Sequence, residues 1–138
     1  MVKTSQLRLR SKGNHDVMDI TPQVTKAVKD SGLKAGIATV FVSGSTAGVT
    51  TVEYEPGLVA DLEAMFEKIA PAGVEYRHNL RWGDGNGHAH LRASLLGPSL
   101  TVPFAEGELS LGTWQQIVVI DFDIRPRSRE VVLQVMGE

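Results

Sequence analysis

The segment AGIATVFVSG at 35–44 constrains the fold more than any other stretch of the chain. It is apolar on both faces, rich in β-branched residues and bounded by glycines. That pattern predicts a buried central strand ending at Gly44, with STAG beyond it as a turn and VTTVEYE continuing extended. Before it, SQLRLRS (5–11) alternates polar and apolar residues, the mark of a strand with one wet face. DITPQVTKAVKDSG (19–32) supplies Thr21 as a helix cap, Pro22 in the first helical position and Gly32 as a stop. GLVADLEAMFEKIA (57–70) places Leu58, Leu62, Met65, Phe66 and Ile69 at helical spacing, and Pro71 closes it.

From there the remaining segments read as extended: VEYRHNL, HAHLRASLL, LTVPF, WQQIVVIDFDI and REVVLQVMG, with turns at Gly97-Pro98, Glu106-Gly107 and 125–128. Two early helices and a strand-rich second half predict a single α+β domain over 1–138. Its antiparallel β-sheets would form a sandwich-like core with two main helices. Strand–helix alternation is not sustained, which counts against a Rossmann-like sheet.

A length of 138 residues suffices to bury a core without staples. The absence of cysteine excludes a zinc–thiolate site, a thiol nucleophile and a disulfide framework. MVKTSQLRLRS lacks the apolar core of a signal peptide, and no run approaches the roughly 18 apolar residues of a membrane span. The expectation is a soluble, cytoplasmic protein without membrane partners. With a formal charge of -2 and basic residues scattered apart from RPRSR (125–129), nucleic acid is not an expected partner either.

Two polar concentrations carry the chemistry. In RWGDGNGHAH (81–90) the glycines demand a loop, and HAHLRASL then alternates. On a strand, His88, His90 and Arg92 would share one face and Ala89, Leu91 and Ala93 the other. Two imidazoles so spaced can reach one ion, completed by Asp84 or His78. The same face can equally serve an anion or substrate, or be a solvated loop. In SGSTAGVTTVEYE (43–55), the hydroxyls of Ser45 and Thr46 with nearby amides can form a phosphate nest. Glu53 and Glu55 would lie on one side of a strand, as a candidate base or metal ligand or as an exposed edge. No G-x-x-x-x-G-K-[ST] is present, and GSTAG is not G-x-S-x-G, so neither a P-loop nor a serine-hydrolase elbow is written here. Thr113, Trp114 and Gln115 stand at the mouth of an apolar strand, fitting a pocket wall, an oligomer seam or core packing. In RPRSR, Arg127 or Arg129 can bind phosphate, or the stretch can be a solvated turn.

Taken in order, SGSTAGVTTVEYEPG, YRHN, GDGNGHAHLRASLLGPSLTVPF, GELSLGTWQQIVVIDFD and PRSREVVLQVMGE resemble the YjbQ-like family, also named the secondary thiamine-phosphate synthase family. The similarity covers nearly the whole chain and is densest over 78–138. It implies a compact α+β protein with antiparallel sheets, assembled as a homotrimer, with a polar cleft close to the subunit contacts and weak thiamine-phosphate synthase activity. The matching positions are Glu53, His78, His90, Thr113, Trp114, Gln115 and Arg129. Asp84 and Asn86 match one form of the loop, and His88 falls where histidine is often absent. One departure stands out: many relatives have HTSA where this chain has GSTA (44–47), so Gly44 replaces a histidine.

The candidate catalytic residues are Glu53, His78 and His90. Substrate binding falls to Ser45, Thr46, Asp84, Asn86, Thr113, Trp114, Gln115 and Arg129. A divalent metal is carried as a candidate cofactor, Mg2+ for catalysis or Zn2+ on His78, His88, His90 and Glu53. The competing expectations are a non-enzymatic trimer that binds a phosphorylated metabolite or metal, and a metal-dependent hydrolase or lyase of a small phosphorylated molecule. Under each of them His78 and His90 should converge in one cleft. WQQIVVIDFDI and REVVLQVMG carry more apolar surface than a small one-sided sheet needs, which fits a subunit contact.

Overall fold

A computed structural model describes all residues 1–138 as an α+β fold of two antiparallel sheets and four helices. The larger sheet has five strands, ordered β1 (Val2–Ser11), β8 (Arg127–Gly137), β3 (Gly36–Val42), β5 (Ser99–Ala105) and β6 (Glu108–Leu109). The smaller runs β2 (Asp16–Asp19), β7 (Gln116–Asp121) and β4 (Ala47–Val52).

β3 is central, paired on one edge with β8 and on the other with β5. Only one of its faces is covered, however. Ala38, Val40 and Val42 point into the core, while Ile37 and Phe41 remain 39% and 41% exposed on the outer face of the sheet. The strand buried on both faces is β7. Ile117 and Val119 face the larger sheet across a cluster with Val40, Val131, Leu133 and Val49. Val118 and Ile120 face the other way, onto Phe66, Ala89 and Ala93.

α1 (Thr21–Ser31) begins and ends close to expectation, and Gly32 stops it with φ 70. Thr21 is not the cap, because its hydroxyl accepts the backbone N–H of Ile117 and so ties the helix to β7. α2 (Pro56–Ile69) is capped by the Glu55 carboxylate, which accepts from Gly57 N (2.9 Å) and Leu58 N. Its core-facing stripe is Val59, Leu62 and Phe66, turned away from the expected Met65 and Ile69, both exposed.

Two segments expected to be extended are helical: α3 (Arg77–Trp82) and α4 (Gly87–Leu96). The spacing that matters in α4 is Ala89 to Ala93, one helical turn apart and both buried on β7. Leu91, which a strand would have buried beside them, is 51% exposed. Gly87 allows the two helices to meet, since a Cβ there would lie 2.7 Å from Cβ of Tyr76. Its N–H donates to Asn79 Oδ1 at 2.9 Å.

Candidate functional site

β4 and β7 pair so that Ala47 lies opposite Asp121 and Val52 opposite Gln116. At the Ala47–Asp121 end, the β3–β4 turn, the α3–α4 loop and the β7–β8 connection enclose a cleft of about 280 Å3. Its wall is Gly44, Ser45, Thr46, Asp84, Asn86, His90, Asp123, Arg127 and Arg129, with no apolar residue among them.

Two buried carboxylates organise the floor. Asp121, fully buried, receives Arg129 Nε on Oδ2 (2.6 Å) and Nη2 on Oδ1 (2.9 Å), a bidentate pair. Asp123 accepts from Thr46 Oγ1 and Asn86 Nδ2 at 3.0 Å each and from Arg125 N at 3.0 Å. Arg127 Nε forms an ion pair with it at 3.0 Å, without an aligned N–H. Burial works to raise the Asp123 carboxyl, but the donors from Asn86, the Arg125 backbone, Thr46 and Arg127 outweigh it and hold it at about 2. Thr46 is a relay, accepting from Arg129 Nη2 while donating to Asp123.

Some donors are left unspent. The backbone N–H groups of Gly44, Ser45 and Thr46 donate to no acceptor in the chain. Arg129 is only 7% exposed, yet its Nη1 makes no hydrogen bond. It is not among the sealed unpaired atoms, so it stays accessible.

His78 and His90 meet beside this cleft, their ring centroids 4.2 Å apart. The convergence matches expectation, but it comes from α3 packing on α4, two segments expected to be extended. Asp84 Oδ1 lies 3.6 Å from His78 Nδ1 and accepts the Asn86 N–H at 3.1 Å, which shapes the loop. Gly83 and Gly85, at φ 64 and 66, take left-handed turns on either side. His90 has a lowered pKa because it is partly buried and faces His78, with Asp84 and Asp123 pulling the other way. A neutral imidazole can both give and take a hydrogen bond at the cleft wall.

The other expected residues lie elsewhere. His88 and His90 diverge because two residues on a helix are about 200° apart, whereas on a strand they would be aligned. His88 is buried toward Arg92, which donates to Ala70 O (2.9 Å) and Glu67 Oε2 (2.7 Å). Its pKa is lowered by burial and by Arg92. β4 ends at Val52, so Glu53 leaves the sheet alternation at an exposed position and Glu55 is spent on α2. Thr113, Trp114 and Gln115 stand before the first residue of β7, five strand steps or about 17 Å from Asp121. Trp114 is 72% exposed, and Gln115 Nε2 donates to Thr51 Oγ1 at 3.1 Å. No group of three histidines or carboxylates is arranged to hold a metal ion. The proposed ligand set of His78, His88, His90 and Glu53 is therefore not assembled within one chain.

Asp121 and Asp123 were missed as site residues. Their signal was DFD at the end of an apolar strand, where alternation turns both carboxylates to one side and burial obliges each to find a cation or donors. Phe122 between them points oppositely, into the cluster with Phe66.

This pairing of a two-sheet α+β scaffold with a polar cleft at a strand end belongs to a class of small proteins already represented by solved structures. Residues 5–138 match the family described as UPF0047 protein YjbQ-like, and the chain belongs to that family. It is 39% identical over 137 residues to a UPF0047 protein of Methanothermobacter thermautotrophicus, covering 99% of this chain and 94% of that one. It is 33% identical to the UPF0047 protein YugU of Bacillus subtilis, covering 99% and 100%. The crystal structure of a YbjQ-like protein of unknown function from Sulfolobus solfataricus superposes with a TM-score of 0.95 at 34% identity, covering 100% of this chain and 99% of that one. No helix is long and apolar enough to cross a membrane.

Proposed function

We propose that the protein admits a small phosphorylated molecule to the Ser45–Arg129 cleft and works as a weak thiamine-phosphate synthase. The observation that carries the reading is the concentration of unspent donors at one place. Three successive amides at 44–46 have no partner in the chain, and Arg127, Arg129, the Ser45 hydroxyl and His90 share the same wall. Such a set suits a phosphate group and offers nothing to an apolar ligand.

In the reaction the thiazole nitrogen attacks the methylene carbon of the pyrimidine diphosphate. A C–N bond forms, the C–O bond breaks, and diphosphate leaves with the electron pair. The amides and arginines would bind the departing oxygens, and His90 would donate a hydrogen bond to them. His78 would orient His90. Thr46, Asn86, Asp121 and Asp123 hold the arginines in place, which makes them positioning residues. The donor set does not fit a resident metal, so no step is assigned to one. Any Mg2+ would travel with the diphosphate oxygens.

We also propose a cytoplasmic homotrimer. Supporting it are the bare outer face of the five-stranded sheet, with Ile37, Phe41 and Met136 exposed, and the unpartnered Trp114. Association is also a route by which Glu53, Thr113, Trp114 and Gln115 could reach the Ser45–Arg129 cleft of a neighbouring copy.

A direct product assay on wild type and His90→Ala, with and without Mg2+, tests the activity. The variant should lose product while remaining folded, because His90 is on the cleft wall and outside both core clusters. Wild type without product would remove the synthase reading, and equal activity in the variant would remove His90. Light scattering at micromolar concentration should give about three chain masses; a persistent monomer would reject the assembly.

A further inference from the structure

Gly44 and Arg129 make a feature that the general reading of the cleft does not use. Gly44 has φ +133, a conformation that side-chain-bearing residues rarely adopt. A Cβ built on it would lie 2.6 Å from Arg129 Nη1. The one accessible, unpaired nitrogen of this buried guanidinium therefore sits directly over the missing side chain. We propose that Gly44 is the aperture of an anion subsite whose floor is Arg129 Nη1, and that the group it takes is a tetrahedral phosphate. This rests on the cleft being a phosphometabolite site and names which atoms select the ligand.

The choice of phosphate over carboxylate follows from which edge of the guanidinium is free. A planar carboxylate is matched by two parallel N–H groups. On Arg129 that edge, Nε with Nη2, is already occupied by Asp121. What remains is one nitrogen contacting one oxygen. The other donors on the same wall are the Gly44, Ser45 and Thr46 amides and the Ser45 hydroxyl on the β3–β4 turn, and Arg127 at the start of β8. Donors spread around a point satisfy oxygens spread around phosphorus. Asp121 and Asp123, being spent on Arg129, Thr46, Asn86 and Arg125, hold the floor rigid, so it need not reorganise when the anion arrives.

The test titrates inorganic phosphate into 15N-arginine-labelled protein at constant ionic strength, with acetate as the planar control. The Arg129 side-chain nitrogens should shift with phosphate and stay unmoved by acetate. Gly44→Ala should bind phosphate at least about tenfold more weakly, the loss of one charge-assisted hydrogen bond. An unmoved Arg129, an equal response to acetate, or unchanged affinity in a folded Gly44→Ala would each overturn the subsite. If Gly44→Ala does not fold, the wild-type titration decides alone. The two readings fail separately: phosphate bound at Arg129 with no thiamine phosphate made removes the synthase and keeps the subsite, and the reverse result removes the subsite alone.

Discussion

Replacing Asp121 by Asn tests whether the cleft floor is an electrostatic unit. The substitution keeps the shape of the side chain but removes its charge, and it sets an amide NH2 against one of the two Arg129 donors now at 2.6 and 2.9 Å. Neither residue can turn to water, since Asp121 is fully buried and Arg129 nearly so. Breaking a buried pair by removing one partner costs about 3–5 kcal/mol. Against a typical total of about 5–15 kcal/mol, that is a large share. For a chain of this length it lowers the melting temperature by roughly 10–20 °C. The assay is urea unfolding at one fixed protein concentration, because any subunit association would enter the midpoint. Removing both partners as Asp121→Leu with Arg129→Met should recover part of the loss, because the uncompensated charge is gone while the Asp123 N–H and Thr46 Oγ1 each lose a partner. A single-variant cost below about 1 kcal/mol, or a double variant as unstable as the single one, would refute the reasoning.

Acid should weaken the fold in two stages. Burial lowers the pKa of both His88 and His15, whose ring packs against Phe66 and Phe122, so the unfolded chain takes up protons near 6.5 while the folded chain resists. Their contribution is complete above pH 6.5 and declines below it, toward the folded values; urea midpoints that stay flat from pH 7 to 5 would contradict this. Asp123, held at about 2 against an ordinary 3.8, adds about 2 kcal/mol that is present above pH 4 and lost between there and pH 2. Gly87→Ala should force α3 from α4, since the nearest atom, Tyr76 Cβ, is bound directly to the backbone. We expect a loss of about 1–3 kcal/mol and separation of the His78 and His90 rings, read from their NMR contacts; an unchanged ring pair would show that the helix contact does not set it.

The amino-acid order alone determined the elements whose hydrophobic period is unambiguous. β1, β3, β5, β7 and β8, the helices α1 and α2, and the stop at Gly32 were all legible, because long runs with one period admit one regular structure. So was the polarity of the 44–46 turn and of the 84–90 stretch, which together supply most of the cleft wall. What the sequence could not decide was the conformation of HAHLRASL, where Ala89 and Ala93 are compatible with a two-residue and a four-residue period alike. Tertiary packing chose the helix, because β7 offers Val118 and Ile120 to two small side chains one turn apart, and Gly87 lets Tyr76 approach. That choice separated His88 from His90 and brought His90 to His78, while the β4–β7 register put Glu53 and Trp114 at the far end of those two strands. The site itself was tertiary for the same reason: Thr46 and Asn86 are distant in the chain from DFD and Arg129, and only burial obliges their charges and donors to find one another.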